Sequence, residues 1–327
     1  MRYPLSALYG MAAATCMTAG VCAAQSAASA WPSRPVRLLV PYTPGGGVDT
    51  IARVMGPKLS EQTGGTFIIE NRPGGTGVIA AELLARAAPD GHTLMASALE
   101  FAINPAIRAK LPYDPFKDFT LITQLASVQF LLVSHPSAPA RNVKQLITLA
   151  KAQPGKLTYG SSGTGGGPHL AGELFQLMSG AAWTHVPFKG AGPAMIGVIS
   201  GEVDFSFGST IALMEAARGG RVRALAVTGE KRFVQMPDVP TVAESGVPGY
   251  AAVGWYGFYG PGNMSAELTR RIHAETRRAI TGADAKDRLE RAGNDLVISS
   301  PEDFVAFVRV EIAKWGRVVQ ASKLRGE

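Results

Sequence analysis

The sequence predicts an α/β fold with two lobes, each a mostly parallel sheet flanked by helices. Apolar, β-prone runs alternate with helical patterns from Val36 to Val227, which is typical of sheets that bind ligands at the carboxyl ends of their strands. A length of 327 residues is sufficient for two domains, and 46% hydrophobic with 17% charged residues is a globular composition. A glycine-rich turn of similar design occurs once in each half of this alternation.

The first glycine-rich turn, Pro44-Gly45-Gly46-Gly47, follows a predicted strand at 36–40 and opens a helix that carries Asp49. The second includes Ser161 and Thr164-Gly165-Gly166, follows a strand at 157–159, and opens a helix that carries His169. Glycine lets the backbone approach a ligand, and the first turn of a helix has unpaired N–H groups with a partial positive charge. We therefore expect the two turns to hold one carboxylate or phosphate between the lobes. Either turn alone would also serve simple chain reversal.

The other elements divide between the lobes. In the first lobe we expect strands at 66–70 and 93–97, a helix through 87 and a short helical piece at 104–108. A β-prone run at 121–133 is expected to cross between the lobes. In the second lobe Asn142 is expected to cap a helix. Further strands are expected at 185–188, 203–207 and 222–227, and further helices at 194–199 and 211–217. After residue 250 we expect no new strand series, but three helices, at 266–280, 285–292 and 302–320, that pack on the first lobe.

The N-terminal segment, residues 1–30, is predicted to be a signal peptide that is cleaved near Ala30. A small, apolar stretch follows Arg2 and ends in Ala28-Ser29-Ala30, an A-x-A type cleavage signal. The competing interpretation is a membrane anchor, but polar interruptions and the cleavage pattern favour export. Both cysteines, Cys16 and Cys22, lie in this segment, so we expect the mature chain to have neither disulfides nor cysteine metal sites. The mature lobes are assigned as 31–128 with 251–327, and 129–250.

Several chemistries are disfavoured by the motifs. Neither glycine turn carries the lysine of a phosphate-binding P-loop, and the dinucleotide fingerprint fails at Pro168. The five histidines are scattered, so we expect no metal and no cofactor. A serine hydrolase, with Ser161 or Ser162 as nucleophile and His169 as base, is the weakest of the three functions considered. The net charge of +7 is not concentrated in blocks, which disfavours nucleic acid but favours anionic ligands.

Several motifs resemble those of the substrate-binding proteins of tripartite tricarboxylate transporters, also called Bug proteins. They cover nearly all of the mature chain and read Pro44-Gly45-Gly46-Gly47-Val48-Asp49, Glu70-Asn71-Arg72-Pro73-Gly74, Ala88-Pro89-Asp90-Gly91, Ile103-Asn104-Pro105, Tyr113-Asp114-Pro115, Tyr159-Gly160-Ser161-Ser162-Gly163, His169-Leu170-Ala171-Gly172-Glu173, Val186-Pro187-Phe188-Lys189-Gly190 and Pro237-Asp238-Val239-Pro240-Thr241-Val242-Ala243-Glu244. The resemblance implies a two-lobed periplasmic binding protein of type II-like architecture, without catalysis. It also implies that small organic acids are held in the cleft by the two glycine turns.

The resemblance further implies which residues contact the ligand, and where this chain differs. It points to 44–47 with Asp49 in the first lobe, and to Ser161, 164–166 and His169 in the second. Ser97 and Glu100, after the strand at 93–97, and Gly208 are expected to line the part of the cleft that selects the far end of the ligand. Family members often carry Asp at the position of Gly208 and a small or hydroxyl residue at that of Glu100.

The function expected from these observations is that of a monomeric, exported, periplasmic solute-binding protein. It would capture a small organic acid or amino acid and deliver it to the membrane permease subunits of a tripartite tricarboxylate transporter. Glu100 either faces the cleft or is a solvated loop carboxylate. If it faces the cleft, it would repel a second ligand carboxylate, and we then expect a monocarboxylate with a donor group, or an amino acid, rather than a citrate-like polyacid. The alternative is a periplasmic ligand sensor with the same fold and site.

Overall fold

The computed structural model describes residues 31–324, so the predicted signal peptide lies outside the described residues. The first part of the chain contributes three parallel strands in the order β2-β1-β3, each followed by a helix, and then a long strand, β4. These elements are β1 (Val36–Val40), α1 (Gly47–Thr63), β2 (Phe67–Asn71), α2 (Val78–Ala85), β3 (Thr93–Ala98), α3 (Glu100–Ile107) and β4 (Phe119–Ser134).

The second part of the chain repeats this arrangement with three strands in the order β7-β5-β6. Strands β5 and β6, and β5 and β7, are parallel. The elements are α4 (Val143–Ala152), β5 (Thr158–Ser161), α5 (Gly167–Ser179), β6 (Thr184–Pro187), α6 (Ala191–Ser200), β7 (Phe205–Ser209), α7 (Thr210–Arg218) and β8 (Arg223–Val227). The predicted cap of α4 is confirmed, because Asn142 Oδ1 accepts a hydrogen bond of 2.9 Å from the backbone N–H of Gln145.

The last part of the chain contains β9 (Val253–Pro261), α8 (Ala266–Thr281), α9 (Ala283–Arg291), β10 (Asp295–Leu296) and α10 (Pro301–Ala321). Helix α8 packs on α1, where Met55 and Ile272 share a buried cluster. Helix α10 is fixed by Glu311, whose carboxylate accepts hydrogen bonds from the indole N–H groups of Trp255 and Trp315. Within residues 31–324, none of the helices is both long and apolar enough to cross a membrane.

Strand β4 joins the two halves of the ten-stranded sheet, as the β-prone run at 121–133 predicts. Its first part, through Gln129, pairs antiparallel with β9. Its last part, from Phe130 onward, pairs antiparallel with β7 and β8. One strand therefore belongs to both lobes, with a parallel triplet on either side of it.

Strand β9 was not assigned from the sequence, which predicted no new strand series after residue 250. It lies between β3 and β4 and runs antiparallel to both. Glycine is disfavoured inside strands, but here the glycines make room for large neighbours. A Cβ on Gly257 would lie 2.4 Å from Phe304 Cζ, and one on Gly260 would lie 2.1 Å from Met264 Sδ. Gly257 and Gly260, which disfavour a strand by propensity, are therefore needed for β9 to pack against its neighbours.

Candidate ligand-binding cavity

A cavity of about 450 Å³ lies between the two parallel triplets, at the carboxyl ends of their strands. Its wall is formed by both lobes and by the strands that join them. The lining residues are Gly45, Gly46, Gly47, Thr50, Ala98, Leu99, Glu100, Val128, Phe130, Gly167, Pro168, Ala191, Ser209, Gly254, Trp255, Tyr256, Ala292 and Asn294. Among these described residues, Glu100 is the one charged side chain.

Five helices begin at the wall of this cavity. Gly47, Glu100, Gly167 and Ala191 are the first residues of α1, α3, α5 and α6, and Ser209 is the N-cap of α7. The first turn of each helix presents N–H groups without intrahelical partners and the equivalent of about half a positive charge. The cavity is therefore built to receive an anion through backbone groups rather than through cationic side chains.

The first glycine turn is held in place by Asp49. The backbone N–H of Gly45, which has a φ of +89°, donates to Asp49 Oδ2 at 2.9 Å. Arg53 Nε donates to the same oxygen at 2.8 Å, and Asn71 Nδ2 donates to Oδ1 at 2.9 Å. Burial opposes ionisation of this carboxyl, but the hydrogen bonds from Arg53, Gly45 and Asn71 outweigh it and lower the pKa of Asp49. Asp49 is 2% exposed, so it orients the turn and does not line the cavity.

The second glycine turn repeats this geometry with a different anchor. Gly165 has a φ of +77°, and its N–H donates to His169 Nδ1 at 2.9 Å. The N-cap glycines of α1 and α5, Gly46 and Gly166, have nearly the same extended conformation, with φ of −77° and −78°. In each turn, therefore, the glycine before the N-cap donates to a side chain four residues later, and the anchor lies inside the helix.

His169 belongs to a buried cluster beneath the second turn. Its ring stacks on that of His185 with 3.8 Å between centroids, and its Nε2 lies 3.6 Å from Glu173 Oε1. Burial lowers the pKa of His169 to about 4, so the ring is neutral near neutral pH and Nδ1 is free to accept from Gly165. Ser161 is fully buried, and its Oγ lies 2.7 Å from His185 Nε2.

Gly45, Gly46, Gly47 and Glu100 are the predicted contact residues that line the cavity. Gly208 lines a smaller cavity of about 80 Å³ that shares Phe130, Pro168, Ala191 and Ser209 with the larger one.

The remaining predicted contact residues lie away from the wall. Pro44 and Thr164 are exposed outside the lining, whereas Ser97 and Ser161 are buried behind it. Gly165 and Gly166 also lie outside the lining, because α5 presents its next residues, Gly167 and Pro168. The hydroxyl of Ser161 contacts His185 rather than His169, so Ser161 is not paired with the base considered for a hydrolase. Within residues 31–324, no cluster of three potential metal ligands occurs.

The aromatic part of the wall was missed by the sequence reasoning. Phe130 and Tyr256 lie against the two helix starts, since a Cβ on Gly167 would lie 2.6 Å from Phe130 Cζ and one on Gly47 would lie 1.9 Å from the Tyr256 hydroxyl oxygen. The aromatic-rich stretch at 251–259 indicates such a wall, but the side of the sheet that each aromatic side chain faces follows only once the stretch is known to be a strand. Gly47 and Gly167, the first residues of the two helices, therefore leave the space that an aromatic ring occupies.

Glu100 faces the cavity at the start of α3. It is half-buried, and its Oε2 accepts a hydrogen bond of 2.8 Å from the hydroxyl of Tyr42. Burial and the charge of Glu100 raise the pKa of Tyr42 well above its ordinary value, so this phenol keeps its proton and acts as donor. Burial and the same carboxylate also raise the pKa of Tyr256.

Comparison with known proteins agrees with this geometry. The family model described as Tripartite tricarboxylate transporter family receptor matches residues 51–324. Protein BugT of Bordetella pertussis is 32% identical over 305 residues, which are 93% of this chain and 93% of that protein.

Two solved structures contain small dicarboxylates. A protein of R. palustris with adipate is 34% identical, with a TM-score of 0.81 over 90% of this chain and 99% of its own. MatC from Rhodopseudomonas palustris with bound malate is 30% identical, with a TM-score of 0.77 over 88% of this chain and 100% of its own.

The two lobes and the anion-directed cavity between them define a solute-binding protein of the periplasmic, type II-like class. The predicted fold class is confirmed. The chain belongs to the tripartite tricarboxylate transporter receptor family, which includes the Bug proteins, as its motifs indicate. This is a family of substrate-binding receptors and not of enzymes.

Proposed function

We propose that this protein captures a small organic carboxylate between its lobes in the periplasm and delivers it to the membrane permease of a tripartite tricarboxylate transporter. The observation that carries the proposal is the convergence of five helix N-termini on one cavity whose lining, among the described residues, contains no cationic side chain. The adipate and malate found with similar proteins support a carboxylate as the anion. We assign residues 31–128 and 251–327 to one lobe and 129–250 to the other.

Binding proceeds through backbone groups of both lobes. One side of the carboxylate accepts hydrogen bonds at the start of α1, near Gly46 and Gly47, and the other side accepts them at the start of α5, near Gly167. Hydrogen bonds to a charged group contribute about 1.5–3 kcal/mol each, more than neutral ones. A ligand that contacts both lobes favours the closed arrangement, because only that arrangement completes its hydrogen bonds.

Thermal-shift screening of the mature protein against a panel of organic acids, followed by calorimetry, tests the capture step. At least one small carboxylate should raise the melting temperature and bind stoichiometrically, and the matching uncharged amide should not. If no carboxylate in the panel binds, the proposed function is wrong.

Uptake measurements test the delivery step. Cells that contain the permease subunits should accumulate the bound acid only when this protein is also present. Unchanged uptake without the protein would contradict delivery and leave the sensor as the alternative. Incubation of the protein with ester and amide substrates should give no turnover.

A further inference from the structure

Glu100 is a carboxylate on the wall of an anion-directed cavity, and this placement requires an explanation. Its Oε2 accepts one hydrogen bond, from Tyr42, and its Oε1 accepts none from the described residues. Among residues 31–324, no Lys, Arg or His forms an ion pair with it, whereas Asp49, Glu70 and Asp90 each pair with an arginine. A partly buried charge without a counter-ion is costly, so Glu100 is expected to find its partner in the ligand.

The side chains around Glu100 are suited to a cation. Tyr42 donates a hydrogen bond to Glu100, and Tyr256, whose pKa the same carboxylate raises, lines the cavity together with Phe130. Aromatic rings attract a desolvated cation through their negative faces. A second ligand carboxylate would meet the unneutralised charge of Glu100 in a mostly apolar cavity, where charges are less screened than in water.

We propose that the ligand carries a protonated amine in addition to its carboxylate, so that the cavity selects aminocarboxylates over dicarboxylates. This inference rests on the proposed function, because the carboxylate is held by the helix N-termini and the amine by Glu100. Glu100 is thus a specificity-determining residue that touches the ligand. The adipate and malate of similar proteins would be poor ligands for this chain.

Probes with equal numbers of carbon atoms separate this inference from the proposed function. The six-carbon set is hexanoate, 2-aminohexanoate, 6-aminohexanoate and adipate, and the four-carbon set is butyrate, 2-aminobutyrate, 4-aminobutyrate and succinate. In calorimetry at neutral pH, an aminocarboxylate should bind at least about tenfold more tightly than both the plain acid and the diacid of the same length.

Glu100→Gln is the decisive variant, because glutamine keeps an oxygen that can accept the hydrogen bond of Tyr42 while removing the charge. It should reduce the preference for the aminocarboxylate by about tenfold and improve binding of the diacid. The matched control is Glu202→Gln, which removes the same charge from an exposed position just beyond the opposite end of α6, and should keep the wild-type ranking.

The outcomes are distinguishable. If diacids bind best and Glu100→Gln leaves the ranking unchanged, the inference is wrong and the proposed function stands. If none of the eight probes and no other small carboxylate binds, both are wrong.

Discussion

Acidification should destabilise the protein through the stacked rings of His169 and His185. Burial lowers the pKa of both to about 4, and for His185 the neighbouring His169 acts in the same direction while Glu173 opposes it. Both rings are therefore neutral in the folded protein at pH 5.5, whereas in the unfolded chain the imidazole titrates near pH 6.5. The unfolded state binds more protons in this range, so the free energy of unfolding falls as the pH falls from about 6.5 to 4.

The magnitude follows from the difference between these pKa values. A gap of this size corresponds to about 3 kcal/mol per histidine once the pH has fallen through both values. The contribution of His185 is the smaller one, because it is less enclosed than His169. Above pH 6.5 both states are neutral and the pair contributes no pH dependence. The carboxylates with lowered pKa, such as Asp49 and Glu70, begin to lose their contribution only below about pH 5.5, so the interval from pH 6.5 to 5.5 reports the histidines separately.

Urea unfolding at pH 7.5, 6.5, 5.5 and 4.5, followed by tryptophan fluorescence, measures this effect. The wild-type protein should lose a few kcal/mol between pH 6.5 and 4.5. His185→Phe keeps a stacked ring and removes one titrating site, and should reduce that loss by somewhat less than half. His135→Gln is the matched control for removing one imidazole elsewhere in the chain. Equal stability of the wild-type protein at pH 6.5 and pH 4.5 would refute the reasoning.

Three further outcomes are expected. Gly47→Ala should weaken carboxylate binding at least about tenfold, or 1.4 kcal/mol, because its Cβ would lie 1.9 Å from the Tyr256 hydroxyl oxygen. The control Gly316→Ala places its Cβ in open space and should bind normally. Equal affinities of the two variants in calorimetry would exclude the clash as a determinant of binding. Asp49→Ala should lower the free energy of unfolding by about 1–3 kcal/mol, because it leaves the Gly45 N–H and Asn71 without their acceptor, and urea unfolding can check this. X-ray scattering should show a smaller radius of gyration with a saturating carboxylate, and an unchanged radius would argue against lobe closure.

Much of the fold could be predicted because its signals are local. Alternating apolar periods located every strand of the two parallel triplets to within a few residues, and the cap at Asn142 has a side chain typical of its position. Strand β9 could not be predicted in this way, because its glycines are explained by tertiary packing, such as the contact that a Cβ on Gly257 would make with Phe304. Residues 251–259 are rich in the aromatic residues that strands favour, but Gly254 and Gly257 interrupt the pattern.

Both glycine turns named from the sequence border the cavity, but several of the polar side chains named beside them do not. The helix starts after both glycine turns do line the cavity, whereas polar residues chosen beside them, Ser161 and Thr164, lie behind the wall or on the surface. The glycine content of a turn before a helix indicates that its backbone can bind an anion. It does not indicate which way a neighbouring side chain points, since that depends on the position of the residue in the first helical turn. Asp49 and His169 occupy the same position and both point inward, so a polar residue there supports the turn.

The two anchors make the anion site independent of the walls around it. Each turn uses the N–H of one glycine to bond its own anchor, Asp49 or His169, and leaves the following helix start directed at the cavity. In the proposed function, binding of a carboxylate would therefore need no particular side chain in the lining, and the lining residues would be free to select the rest of the ligand. Glu100 lines the cavity without supporting either turn, so in the proposed function its charge would act on the group that the ligand carries besides its carboxylate.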